Sequence, residues 1–419
     1  MKIFNQIQEL QNQGVITSET ALDISNYYKS KNKGSSSRLT VIYSVIGSIL
    51  IGLGLILLFA HNWDEMSKIA KTIVAIAPLA ITQILGGYFI YKKPDNLAAR
   101  EGIGSLLFIC TGLSISMVSQ IYNIVGSLDS FMQIWLLLTL PLLLIFRSSM
   151  VAFLATIIST SYAILDGDVL SIVIYMVTLV LILTHFRFLN KKEPNSNYIN
   201  LASWIIPSAL SIGLCAFEQS NDELLFLSYF WLFTLFIWVG NSKSWKDKFN
   251  FRNGLKLIGS LGILVMLTMI SFHEVADEFI TYKMDFGQEW ISLFLIAIPL
   301  LLVIILKKGL FAVLKKDQLS MAFIPITFVF FFSQSEIISA IIVNALILII
   351  GIQKVLLGLK KNRLGQLNIG LLIISILVSC RFFDYQMDLL LRGIIFLALG
   401  LGFLLSNLKI IKTRKNENQ

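Results

Sequence analysis

Charge is scarce in this chain. Asp, Glu, Lys and Arg make up 14% of its 419 residues, against 56% hydrophobic residues. One soluble core cannot hide that much apolar surface, so an ordinary globular domain is excluded and a bilayer is the fitting solvent. Cysteine is scarcer still. Cys110, Cys215 and Cys380 are far apart and lie in or beside apolar runs, so no disulfide framework or metal pattern follows. No HExxH, CxxC, glycine-rich phosphate loop or nucleophile–base pair stands out, and neither cofactor nor metal is expected. The centres of the apolar runs hold no Asp, Glu, Lys, Arg or His. Such groups typically mark proton or ion pathways, which argues against a coupled pump. Long polar loops are missing too, the longest being about 241–254 and 273–288. No soluble domain is therefore inserted, and no cleavable signal peptide is expected ahead of the long apolar run near Leu39.

What is present is a succession of continuous apolar stretches, each near the ~20 residues a helix needs to cross ~30 Å of hydrocarbon. Their continuity argues for helices rather than alternating barrel strands. The expected fold is an all-α polytopic transmembrane helix bundle with about fourteen spans, at 39–60, 69–91, 102–120, 130–147, 149–165, 169–186, 199–217, 223–240, 255–272, 289–306, 318–333, 336–356, 366–382 and 389–407. The pairs 130–147/149–165 and 318–333/336–356 are tight enough to be re-entrant. With the N-terminus inside, 29 of the 34 basic residues fall on cytoplasmic segments. Lys68, Lys71, Lys283, Arg381 and Arg392 are left outside. The positive-inside rule thus supports an even number of spans with both ends in the cytoplasm. Sixteen of the 25 acids fall outside, either as loop filler or as a cation-attracting vestibule.

Four segments follow: 1–38, a cytoplasmic helical hairpin and basic tether; 39–165, about five spans; 166–407, about nine more; and 408–419, a basic cytoplasmic tail. In the hairpin, Ile3, Phe4, Ile7 and Leu10 recur at helical spacing, Gly14 can stop the first helix, and Thr17 or Ser18 can cap the second. It can dock a partner or pack on the membrane face. Basic residues next to the spans favour anionic lipids at the cytoplasmic surface. The loop KSWKDKFNFRNG mixes basic and aromatic residues, which beside a membrane anchor in headgroups rather than nucleic acid.

Ser44, Ser48 and Gly52 form a small-xxx-small stripe suited to close helix packing. Span 3 carries Gly112, Ser116, Ser119, Gln120 and Asn123 roughly along one face. Polarity gathers at outer span ends, and Asn62, Trp63, Asp64, Gln120 and Tyr122 are expected to converge there near Arg381, Asp384 and Arg392. Trp63 and Tyr122 suit interfacial depth. Such a cluster reads either as the mouth of an outward-facing polar cleft or as a structural latch. Pro78, Pro141, Pro207, Pro299 and Pro325 lie within spans and could hinge an alternating-access motion.

The stretches LQNQGVITSETALDISNYY, GLGLILLFAHNWDEM and SQIYNIVGS resemble the bacterial membrane family called domain of unknown function 2157, over roughly residues 5–150. The tail RFFDYQMDLLLRGIIFLALGLGFLLSN, at 381–407, is similar to related members. The resemblance implies a bacterial inner-membrane protein, with Asn62, Trp63, Asp64, Gln120 and Tyr122 matching the family pattern. It also implies a candidate partner, a membrane-anchored protein with a GDYXXLXY motif. It supplies no activity. Three functions remain open: transport or flipping of a small polar or lipid-linked solute, a structural or assembly part of an envelope complex, and a polyprenyl-linked membrane transferase using Asp64 and Glu65.

Overall fold

The computed structural model describes residues 66–194, 196–217, 222–242, 253–272, 318–332, 336–361, 363–384 and much of 390–408, with short pieces of the first 65 residues, among them 13–25 and 42–51. Every regular element among them is helical. The chain divides into two compact units, Met1–Lys192 and Glu193–Gln419.

In the first unit Gly14 adopts φ +69, where a side chain would be strained, and Val15 N–H closes back on Leu10 O at 3.0 Å. Thr17 Oγ1 then accepts from Thr20 N–H at 3.3 Å and starts a helix at 18–25. Of the two possible caps, Thr17 is the one used. Five long helices follow the short apolar helix α1 (Ile42–Ile51): α2 (Lys68–Lys92), α3 (Leu97–Tyr122), α4 (Leu128–Phe146), α5 (Ser149–Asp166) and α6 (Val169–Lys192). Ser67, Asn96 and Ser148 cap α2, α3 and α5 through side-chain oxygens. Each of α2–α6 is long and apolar enough to cross a membrane. The tight pair α4/α5 consists of helices of 19 and 18 residues, full-length elements rather than half-spans.

The small residues of α3 let its neighbours approach. Gly112 gives Trp135 its seat: an added Cβ would lie 2.5 Å from the indole, which donates to Phe108 O at 2.9 Å. Ser114 donates to Ala75 O of α2 at 2.6 Å. Ser44 and Ser48 of α1 donate to Ala98 O and Gly102 O of α3, at 3.1 and 2.9 Å. Gly52, third in that stripe, lies outside the described residues.

The second unit contains α7 (Asn197–Gly213), which continues as a 3-10 turn at Leu214–Phe217, then α8 (Asp222–Gly240) and α9 (Gly254–Ile270). After the 3-10 turn Gln318–Met321 come α10 (Phe323–Phe332), α11 (Glu336–Lys360), α12 (Leu364–Asp384) and the apolar helix α13 (Phe396–Leu405). Helices α7 with its 3-10 turn, α11 and α12 complete a set of eight candidate spans among the described residues. The expected span at 289–306 and Pro299 lie outside the described residues. Within the expected span 318–333, the described residues form the 3-10 turn Gln318–Met321 followed by α10, Phe323–Phe332. Pro325 sits in its first turn, where a missing N–H is harmless, so it marks a helix start rather than a kink. Pro78, Pro141 and Pro207 do lie inside helices.

Glycine sets the tightest contact of this unit. A Cβ on Gly358 of α11 would sit 2.4 Å from Leu367 N of α12, and one on Gly370 would sit 2.6 Å from Val355 N. Both clashes are with backbone, which cannot step aside. Gly358→Leu is therefore expected to exceed the ~1–3 kcal/mol typical of overpacking. Gly87→Leu, where nothing lies within 4 Å, should leave the thermal midpoint of the detergent-solubilised protein unchanged. Equal midpoints for the two variants would refute this packing.

Candidate functional site

The polar groups of the first unit fall into two sets at opposite ends of its antiparallel helices. At one end lie the start of α3, the α4–α5 turn and the last part of α6. Glu101 of α3 is 1% exposed, and its carboxylate accepts three hydrogen bonds. Ser148 Oγ donates at 2.5 Å, Ser149 N–H at 3.0 Å and Met150 N–H at 2.9 Å. An anion thus satisfies the orphan donors at the N-terminus of α5, where the helix dipole favours it. Arg100, the preceding residue, does the converse. Its guanidinium donates to Phe146 O at 2.7 Å and Arg147 O at 2.8 Å, the last carbonyls of α4. Arg147 has φ +47, a left-handed conformation costing a non-glycine residue roughly 1–2 kcal/mol, and its bonded carbonyl helps offset this. From α6, His185 Nε2 and Ser149 Oγ share a hydrogen bond at 3.1 Å. Two adjacent residues of α3 therefore staple both sides of the α4–α5 turn, and α6 closes on it.

The opposite end is more open. Tyr122, 48% exposed, ends α3; its hydroxyl and Thr72 Oγ1 are 3.1 Å apart, and Lys68 Nζ lies 4.7 Å from the ring centroid. Asn123 turns the chain in the left-handed region, while Ile124 N–H bonds Ser119 O at 2.9 Å. Gln120 is exposed beside it. The ends of α2 and α3 thus meet, with a cation over an aromatic ring as the join. Of the face expected on span 3, Gly112 packs inward, whereas Gln120 and Asn123 are exposed.

Asn62, Trp63, Asp64 and Arg392, with the side chain of Asp384, lie outside the described residues. Arg381 belongs to the second unit, where it donates to Ser271 O and, at 3.1 Å, to Ser271 Oγ, and lies 5.7 Å from the Phe272 ring centroid. There it holds the end of α12 to the end of α9. The same unit has a lateral groove of about 430 Å³ between α7, α8 and α9, lined by Ile212, Tyr229, Phe233, Leu261, Val265 and Met266 among others.

Sequence reasoning missed the staple. Glu101 reads as one more acid in a loop, and its partners are 47 to 49 residues away. The available signal was Ser148–Ser149 between two apolar runs: a helix start needing an acceptor, level with an Arg–Glu pair.

No curated protein and no solved structure matches the chain. Residues 8–152, which hold α1–α4, both ends of α3 and the staple's Arg100, Glu101, Ser148 and Ser149, match the sequence model of one family, described as a predicted membrane protein (DUF2157). The chain is a multi-helix membrane protein, and its residues 8–152 are similar to that family, DUF2157.

Proposed function

We propose that this protein moves a small polar or lipid-linked solute across a bacterial inner membrane, as a bundle of about fourteen spans with both ends in the cytoplasm. The observation supporting this is the asymmetry of the first unit. At the Arg100 end, buried polar groups are spent on one another across α3, α4, α5 and α6. At the Tyr122 end, Gln120, Tyr122 and Asn123 are exposed. The distribution of basic residues puts the stapled end inside and the open end outside. A bundle sealed inside and polar outside is the resting form expected of an outward-facing carrier. Asn62, Trp63 and Asp64 precede Lys68 closely in sequence and would join this mouth. Anionic lipids would gather at the basic face.

The test compares polar metabolites and lipid-linked intermediates, inside and outside, between a strain lacking the protein and its parent. One pool should shift sides. The double variant Gln120→Ala/Tyr122→Ala, at normal abundance, should fail to restore it. Unchanged pools would contradict the transport reading.

A second reading, a part of an envelope assembly, is favoured by the N-terminal segment. Val15 and Leu22 are 65% and 62% exposed there, an apolar surface that a membrane-anchored protein such as one with a GDYXXLXY motif could cover. Unchanged pools, together with co-purification of a partner that Leu22→Glu releases, would favour assembly over transport.

A further inference from the structure

Buried serines and threonines in these helices follow one habit. Thr82, Thr111, Thr139, Thr156, Thr160, Thr178 and Ser105 each donate to a backbone carbonyl three or four residues back. Thr234 of α8, fully buried, does not. Among the described residues its hydroxyl has no partner, and neither does the hydroxyl of Thr327 on α10. The same holds for two indole N–H groups, Trp231 Nε1 and Trp238 Nε1, on side chains 1% and 8% exposed.

Three of these groups lie on α8, and the fourth lies on α10, which packs against it. Residues 231, 234 and 238 recur at i, i+3 and i+7, one face of α8. Both indoles reach Phe323 of α10, with ring centroids 4.3 and 5.7 Å apart. Thr327 lies one turn beyond Phe323 on the same side of α10. Trp231 is the middle residue of the 19 in α8, so the place is deep in the bundle. Buried donors are almost always bonded, and leaving one unmade costs roughly 1–3 kcal/mol. An N–H set over the Phe323 ring is a weak bond and does nothing for two hydroxyls.

We infer that the α8–α10 face is a buried polar site that takes a water-sized hydrogen-bond acceptor. Its chemistry follows from the donor set. An indole N–H only donates, and a threonine hydroxyl both donates and accepts. The occupant must offer oxygen lone pairs, as water does, and two to four partners are what a buried water needs. The site lies in the second unit and stands independently of the proposed transport mouth.

Water is the probe. The full chain, ¹⁵N-labelled at tryptophan indoles and reconstituted in phosphatidylglycerol–phosphatidylcholine liposomes, is measured by water-edited solid-state NMR. Trp231→Phe and Trp238→Phe assign the two signals. Both indoles should take up water magnetisation several-fold faster than an indole buried in hydrocarbon. In parallel, Thr234→Val, nearly isosteric, should lower the melting temperature by removing a bonded hydroxyl, while Thr234→Ser should largely retain it. Either indoles that stay dark or a melting temperature raised by Thr234→Val overturns the site, since a rise is what removal of an unbonded hydroxyl gives.

Discussion

Glu101→Ala is expected to be among the most damaging single substitutions in the first unit. It leaves the N–H groups of Ser149 and Met150 and the Ser148 hydroxyl without their acceptor. Each buried donor so orphaned costs roughly 1–3 kcal/mol, so the total approaches the stability of many whole domains. Glu101→Gln separates charge from shape. One carbonyl oxygen remains to accept, but the amide nitrogen turns donors toward donors, and the charge that complements the α5 dipole is gone. It should fall between wild type and alanine. Cys110, 1% exposed on the same helix, is a built-in reporter. With Cys215 and Cys380 replaced by serine, a thiol-reactive dye reports unfolding as Cys110 becomes accessible. The midpoint should fall in the order wild type, Gln, Ala. Equal midpoints for all three would mean the staple is dispensable.

Gly102→Leu should act on a different joint. A Cβ at Gly102 would sit 2.0 Å from Ser44 Oγ and 3.3 Å from Ser44 Cβ. The bonds of Ser44 to Ala98 O and of Ser48 to Gly102 O then cannot both survive. Helix α1 must move off α3, losing its described polar joints to that helix. A cysteine at the buried position 48, introduced as Ser48→Cys, should resist maleimide in the otherwise wild-type protein and react readily with Gly102→Leu present. Gly47→Leu is the control, since nothing lies within 4 Å of a Cβ there. If it exposes position 48 as strongly as Gly102→Leu, α1 is not seated on α3 as described.

The two joints differ in how far they can be read from the chain. Ser44 and Ser48 advertise close packing because small residues four apart have one common use in an apolar helix. Their partner glycine is less conspicuous. Gly14 and Thr17 were legible because caps are local: the residue that ends or starts a helix is a neighbour of the groups it satisfies. The apolar runs predict helices such as α2–α6 for the same reason, each run carrying its own evidence of length. Glu101 fails this condition. Its role depends on which turn the bundle brings beside it, and no local pattern separates it from a loop carboxylate. Pro325 shows the opposite error. A proline in an apolar run suggests a kink until a helix is seen to begin two residues before it. Gly358 and Gly370 would have been readable had glycines been matched across the hairpin rather than along one helix. The expected outer cluster gathers distant segments, most of which lie outside the described residues, and what the first unit does describe there is Tyr122 against α2.

Transport through the Tyr122 end requires one orientation: the stapled end of the first unit inside, the Tyr122 end outside. Single cysteines in a background with all three native cysteines replaced by serine test it directly. Intact cells are treated with a membrane-impermeant maleimide, before and after permeabilisation. Asn123→Cys should label in intact cells, whereas Lys192→Cys and Lys361→Cys should label only once the membrane is opened. Lys192→Cys labelled from outside, with Asn123→Cys protected until permeabilisation, would contradict the account.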